Sequence, residues 1–250
     1  MTGVQTCALP IYSSIKAVAG AAALSISVSQ NTSVAAGLGF SLTINNIANT
    51  IRAALEDSTI TAGGPVTVSA TSNAGIDSLA FGISVGVALS GNASAIAANC
   101  TGALSYNETD NLVEATVCNT TGTAQLSAGG RLSVTASDDS IIRAIATAAS
   151  ASVSGSTTAA SVSVAIGLAL AHNRIDKDVS ASLVNLPGVL THGQSIVVSA
   201  TDASEIDAVT FAAAVSVSLS LTNPTVGIAG GSSASTNIIL SRSEEHTSEL

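Results

Sequence analysis

Cys100 and Cys118 stand with 17 residues between them, and the only other thiol of the chain is Cys7. In an oxidising compartment such a pair can close a disulfide loop, worth about 3 kcal/mol in the chain-entropy account. As free thiols the same side chains act as small apolar fillers. With no His near them, they do not complete a zinc site. His172 precedes Asn173, where aligned copies carry Ile44 and Tyr106, and this position predicts an inward or half-buried structural imidazole. His192 lies in a Thr-His-Gly-Gln turn. Neither histidine has a carboxylate at a spacing that marks a catalytic triad. Asp138 and Asp139, with Asp202, Glu205 and Asp207, supply oxygen donors of the kind Ca²⁺ prefers. No EF-hand pattern or Gly-Gly-x-Gly-x-Asp run accompanies them, so they read as solvated turns. The expectation is therefore no catalytic residue, no cofactor and no metal ligand. Sequons at Asn31, Asn92, Asn99, Asn107 and Asn119 matter only in a eukaryotic secretory pathway.

The composition behind these residues is unusual. Of 250 residues, 46% are hydrophobic, but only 2% are aromatic and 9% charged, against about 25% charged in an ordinary soluble domain. Seven Lys and Arg against 16 Asp and Glu give a net charge of -9, which excludes the basic footprint of a nucleic-acid-binding protein. The aliphatic content also excludes a disordered acidic tail.

Both ends read as foreign to the fold. Residues 242–250 (RSEEHTSEL) are what AGATCGGAAGAGCACACGTCTGAACTC encodes, and the complement of that DNA, in another frame, encodes residues 4–11 (VQTCALPI). One oligonucleotide, resembling a sequencing-library adapter, accounts for both. Residues 1–12 and 242–250 are accordingly set aside as adapter-derived, which leaves six basic and thirteen acidic residues. On this reading the natural termini are missing, and with them any export signal or anchor.

Three segments of the remainder align: residues 66–76 (VTVSATSNAGI), 132–142 (LSVTASDDSII) and 196–206 (IVVSATDASEI). A second anchor, an Asn eight residues before an Ala, keeps the same period of about 64: Asn45 with Ala53, Asn107 with Ala115, Asn173 with Ala181. The units are 13–76, 77–142, 143–206 and a truncated 207–241. Such a repeat points to a stacked architecture in which each unit buries its apolar surface against the next.

Within each unit hydrophobicity alternates with a period of two. Leu24, Ile26 and Val28 alternate with serines, as do Val215, Val217 and Leu219, and a longer alternation runs from Val34 to Ile44. This predicts strands. The Ala-rich 19–23 stretch is compatible with helix, but Ser at every second position fits no amphipathic helix. The charge-free runs 17–51, 78–107, 144–173 and 208–241 are broken by Ser, Thr, Asn and Gly, so no membrane helix is expected. Membrane β-strands match the alternation better but call for aromatic girdles, and the chain has two Tyr, three Phe and no Trp. No transmembrane segment is expected.

The fold class expected is all-β: a repetitive, elongated parallel β-solenoid, with a string of β-sandwiches as the alternative. Three rungs of about 21 residues per repeat would give some eleven rungs and a rod on the order of 50 Å long, filled by stacked Val, Ile, Leu and Ala. The length of the two alternations also admits paired long strands in a wider rung.

Residues 19–37 and their like, the Asn-x₇-Ala anchor, and the closing VTVSAT and VVSATDAS resemble the Ala/Gly/Ser-rich repeats of large bacterial exported proteins described as filamentous-haemagglutinin-like or adhesin-like. The resemblance implies an elongated rod displayed outside the cell. The parent protein would meet a carbohydrate or protein ligand, and the repeats would carry no catalysis of their own. The alternative is part of a carbohydrate-active β-helix enzyme, which needs carboxylates gathered in one non-repeating groove. Here the acids recur with the repeat.

Overall fold

A computed structural model describes residues 5–120, 125–186 and 188–248; residues 1–4 and 249–250 of the two terminal stretches lie outside the described residues. Alternating Val, Ile, Leu, Ser and Thr produce very long strands. They are β1 (Gln5–Ser29), β2 (Ser33–Glu56), β4 (Val66–Ser90), β5 (Ala95–Cys118), β7 (Leu132–Ser156), β8 (Ser161–Val184), β10 (Ile196–Ser220) and β11 (Thr225–Ser248). Three short strands, β3 (Ile60–Ala62), β6 (Leu126–Ala128) and β9 (Val189–Leu190), separate them.

All neighbours pair in parallel. One sheet has the order β1-β4-β7-β10, the second β11-β8-β5-β2, and the third β3-β6-β9. Val66 pairs with Leu132, and Leu132 with Ile196, so each rung lies directly on its predecessor without a register slip. The chain is a β-solenoid, and the sandwich-string alternative falls because every strand of the two large sheets pairs with its counterpart in the adjacent repeat.

The rung is wider than three turns of about 21 residues would make it. One repeat forms a single coil of two 24- to 25-residue strands and one short strand. At about 3.3 Å per residue a long strand runs for about 80 Å, and the rungs advance by only about 4.8 Å each. The rod of eleven rungs is thus corrected to a broad plank of four.

Two kinds of corner make this coil. At the far end a serine closes each long strand of the first sheet and turns the chain by accepting a hydrogen bond from a nearby backbone N–H. Ala93 N donates to Ser90 Oγ at 3.1 Å, Ala159 N to Ser156 Oγ at 3.0 Å, and Asn223 N to Ser220 Oγ at 3.2 Å. At the near end Asp57 and Asn185 take positive φ (49° and 55°), a conformation short polar side chains tolerate, and release the chain toward the third sheet.

The near end holds a conventional core. Val66, Val68, Val113, Val117, Leu126, Leu132, Val134 and Leu183 meet where the three sheets converge. An isoleucine layer follows, with Ile47, Ile76, Ile142 and Ile175. Beyond it the interior narrows to alanines, among them Ala80, Ala103, Ala146 and Ala169. The far half then alternates small apolar and hydroxyl side chains: Ser84, Ser150, Ser152 and Thr101 are buried there.

The far half therefore inverts the expected packing. Leu24, Ile26 and Val28 face outward while Ser25 and Ser27 face in, and Leu38 (70% exposed), Phe40, Leu42 and Ile44 also point out. The interior is not filled by the alternating Val, Ile and Leu of the long runs. A period of two assigns residues to two faces, and here the second sheet approaches on the small-residue face. Gly37 and Gly86 face the Asn99 side chain from β2 and β4, where a Cβ would collide with its amide.

Candidate functional site

The anchor asparagines form a ladder inside the plank. Asn45, Asn107, Asn173 and Asn237 are consecutive register partners on the second sheet. Asn45 Nδ2 donates to Asn107 Oδ1 at 2.7 Å, Asn107 Nδ2 to Asn173 Oδ1 at 2.7 Å, and Asn173 Nδ2 to Asn237 Oδ1 at 2.8 Å. The two inner amides, Asn107 and Asn173, each give and receive within the row, which links all four rungs. Asn107 is thus an inward residue in mid-strand; the corner positions are Asp57, Asn119 and Asn185. Ala53, Ala115 and Ala181 occupy one buried inward row of the same sheet, and Glu245 takes the fourth place in it.

Four residues nearer the corners lies a buried ion cluster. Lys177, on β8, places Nζ 2.6 Å from Asp138 Oδ1 on β7 and 2.6 Å from Asp202 Oδ1 on β10. Asn111 Nδ2 donates to Asp138 Oδ2 at 2.8 Å, and Ser140 Oγ to Asp138 Oδ1 at 2.5 Å. Asp202 also accepts from Ser204 at 2.9 Å and from Ser241. Burial pushes the Asp202 carboxyl up, but its hydrogen bonds from Lys177, Ser241 and Ser204, with the Lys177 charge, outweigh it and hold the group below its ordinary 3.8.

Asp138 and Asp202 are therefore not solvated turn residues. They point inward from mid-strand and neutralise a lysine ammonium. Asp139, Glu205 and Asp207 face outward, exposed, on the same strands. The sequence carries one signal for the cluster: Lys177 stands in the row of Asn49 and Asn111, and the acids in that of Ser72.

Of the two readings of the cysteines, the disulfide falls. Cys100 and Cys118 lie on a single continuous strand, β5, both on its outer face and both free. Eighteen residue steps at about 3.3 Å separate them by about 60 Å, against a Cα separation under about 7 Å in a disulfide. Burial, then the Glu56 and Asp57 carboxylates, push the Cys118 thiol above its ordinary 9.0, against the weaker influence of Arg52 and Thr116.

His172 is half-buried on the outer face and stacks on Tyr106, with ring centroids 4.9 Å apart and planes 14° from parallel. His192 and Gly193 do form a turn, with φ of 51° and 82°, closed by Gln194 N donating to Thr191 O at 2.9 Å. Asn99 and Asn107 are buried, so their sequons are inaccessible in the fold; Asn31 and Asn92 sit in the far turns.

Charge divides the plank in two. On the outer face of the first sheet Lys16, Asp77, Arg143 and Asp207 are successive register partners, alternating in sign. On the second sheet Glu108 pairs with Arg174, the oxygen and nitrogen 2.9 Å apart. From these rows to the far turns, residues 17–45, 78–107, 144–173 and 208–237 contain no Asp, Glu, Lys or Arg. The site with the most extensive chemical character is this charge-free half, whose two outer faces are aliphatic. No protein-family model, curated protein or solved structure matches the chain.

Proposed function

We propose that the chain is a structural and interaction segment of a large bacterial exported, cell-surface adhesin-like protein, without catalysis of its own. The observation that carries this reading is the rung-on-rung register: every repeat adds one coil and extends the same sheets, so that the sequence repeat translates directly into length. The polar groups support it, because the asparagine ladder and the buried Lys177 cluster are spent on internal cohesion. Asp138, the carboxylate a carbohydrate-active enzyme would need in a groove, is 1% exposed. The parent protein's ligand is a carbohydrate or a protein, reached through domains that such a segment displays.

The adapter reading of the ends belongs to the same proposal. Glu245 occupies the inward row of Ala53, Ala115 and Ala181, where an acid breaks the repeat's own pattern.

Inserting one or two extra copies of residues 66–131 and measuring small-angle X-ray scattering tests the stalk. The expected result is a constant largest width of about 80 Å with about 4.8 Å added along the stack per copy. Profiles of beads joined by flexible links, or hydrolysis of polysaccharides lost in an Asp139→Ala variant, would overturn it.

A further inference from the structure

Against the expectation of no transmembrane segment, we infer that the charge-free half of the plank is a lipid-inserting lobe, which enters a bilayer edge-on, far turns first, to the depth of the charged rows.

Three features lead to this occupant. The first is inversion: outward side chains such as Leu38, Ile83, Ile166 and Leu168 are aliphatic, while the space between the sheets holds hydroxyls and amides that bond to each other and to backbone. Apolar outside and polar inside is the arrangement of strands solvated by lipid. Inner rungs also leave no backbone group open to the hydrocarbon, because β4, β5, β7 and β8 are paired on both sides.

Dimension is the second feature. From Leu79 beside the charged row to Leu89 beside the turn, ten residue steps at about 3.3 Å give an apolar height of about 33 Å, close to the roughly 30 Å hydrocarbon core. The third is the boundary. Arg143 with Asp77 on one face and Arg174 with Glu108 on the other mark the boundary, the second about two residues farther from the far turns, and the Tyr106–His172 stack lies level with the first. Amphipathic rings are favoured at that depth. The leading edge must pass through lipid, and its turns at residues 30–32, 91–94, 157–160 and 221–224 are uncharged.

A second copy of the chain is the rival occupant, but one copy covers one face, and both faces are apolar here. A bilayer covers both together. Lipid contact of this lobe stands independently of the stalk reading, since it depends on side-chain orientation within a rung rather than on the number of rungs.

The test uses the full chain with phosphatidylcholine vesicles. The chain has no Trp, so I166W on the apolar outer face and T135W on the polar outer face each carry a single reporter. The expected result is flotation with vesicles and quenching of the I166W indole by acyl-brominated lipid several-fold stronger than that of T135W. A Leu168→Asp variant with unchanged β-sheet circular dichroism should lower the lipid-bound fraction more than about tenfold, as a charge placed in hydrocarbon requires. Failure to float, equal quenching of the two reporters, or a lipid-independent dimer dispersed by Leu168→Asp would overturn the proposal, the last in favour of a second copy.

Discussion

Phe40 on β2 lies across Gly102 on β5, its ring filling the place where a Gly102 side chain would begin. The same arrangement recurs on the other sheet, where Phe81 covers Gly20. In both pairs the aromatic ring is accommodated by the missing Cβ of a glycine on the neighbouring rung.

Replacing Gly102 by Val forces the Phe40 ring aside and should destabilise the fold by about 1–3 kcal/mol, the usual range for overpacking. Phe40→Ala in the same chain should recover most of that loss. Urea unfolding of the two single variants and the double variant measures the coupling, which should exceed about 0.5 kcal/mol in magnitude.

Asn107 joins three rungs, so its loss affects two neighbours. Asn107→Ala leaves Asn45 Nδ2 without its acceptor and Asn173 Oδ1 without its donor, both buried. At about 1–3 kcal/mol for an unsatisfied buried group, the variant should lose at least about 2 kcal/mol. The exposed neighbour Asn46→Ala should stay within about 0.5 kcal/mol in the same thermal or urea titration.

Lys177 has two carboxylates to itself. Lys177→Met should cost about 3–5 kcal/mol, because the buried Asp138 charge loses its counter-ion. Lys177→Met combined with Asp138→Asn should recover a substantial part, measured as the shift in the urea midpoint.

Acid should weaken the same cluster. The Asp202 carboxyl is held below its ordinary 3.8 in the fold, so the unfolded chain binds its proton first as the pH falls. Its contribution is complete above about pH 4 and is lost as the pH drops through the lower folded value. Stability measured between pH 2 and 5 should fall on acidification, and an Asp202→Asn variant should show a shallower slope over that window.

The thiols separate cleanly. Unfolded without reductant, the protein should titrate three free thiols per chain with a disulfide reagent. With Cys7 and Cys100 replaced by Ser, alkylation of native Cys118 should still be accelerating at pH 9, since its pKa lies above 9.0. Two fewer thiols in the unreduced protein would restore the disulfide.

Much of the fold was legible because period and repeat are properties of the chain. The serine alternations around Leu24 and Val215 specify strands wherever they fold, and the Asn45, Asn107 and Asn173 spacing specifies that copies stack in register. What the alternation leaves open is which face is inside. Ser84 and Ile83 exchange roles depending on where the second sheet lies, and only the narrow fit among Gly37, Gly86 and Asn99 decides it. Rung width was legible only as an alternative: the long alternations admit paired long strands, but nothing in residues 66–90 marks whether a strand continues or turns, as Ser, Gly and Asn serve in both. The choice between a disulfide and two free thiols at Cys100 and Cys118 was open for the same reason, since the two are near in sequence and far apart on an uninterrupted strand. The Lys177 cluster was harder to see, because its partners come from neighbouring rungs and its one sequence signal is the place of Lys177 in the row of Asn49 and Asn111.

The width of the rung also has a mechanical consequence. A beam resists bending in proportion to the cube of its depth in the bending plane, and the long strands make one transverse dimension several times the other, about 80 Å against two sheets stacked about 10 Å apart. A stack of these coils is therefore more than about ten times stiffer edgewise than flatwise. It behaves as a tape that keeps its heading in one plane and yields in the other, so that shear applied to the far turns is carried as tension along hydrogen-bonded strands while the flat faces remain free to conform to whatever they rest against.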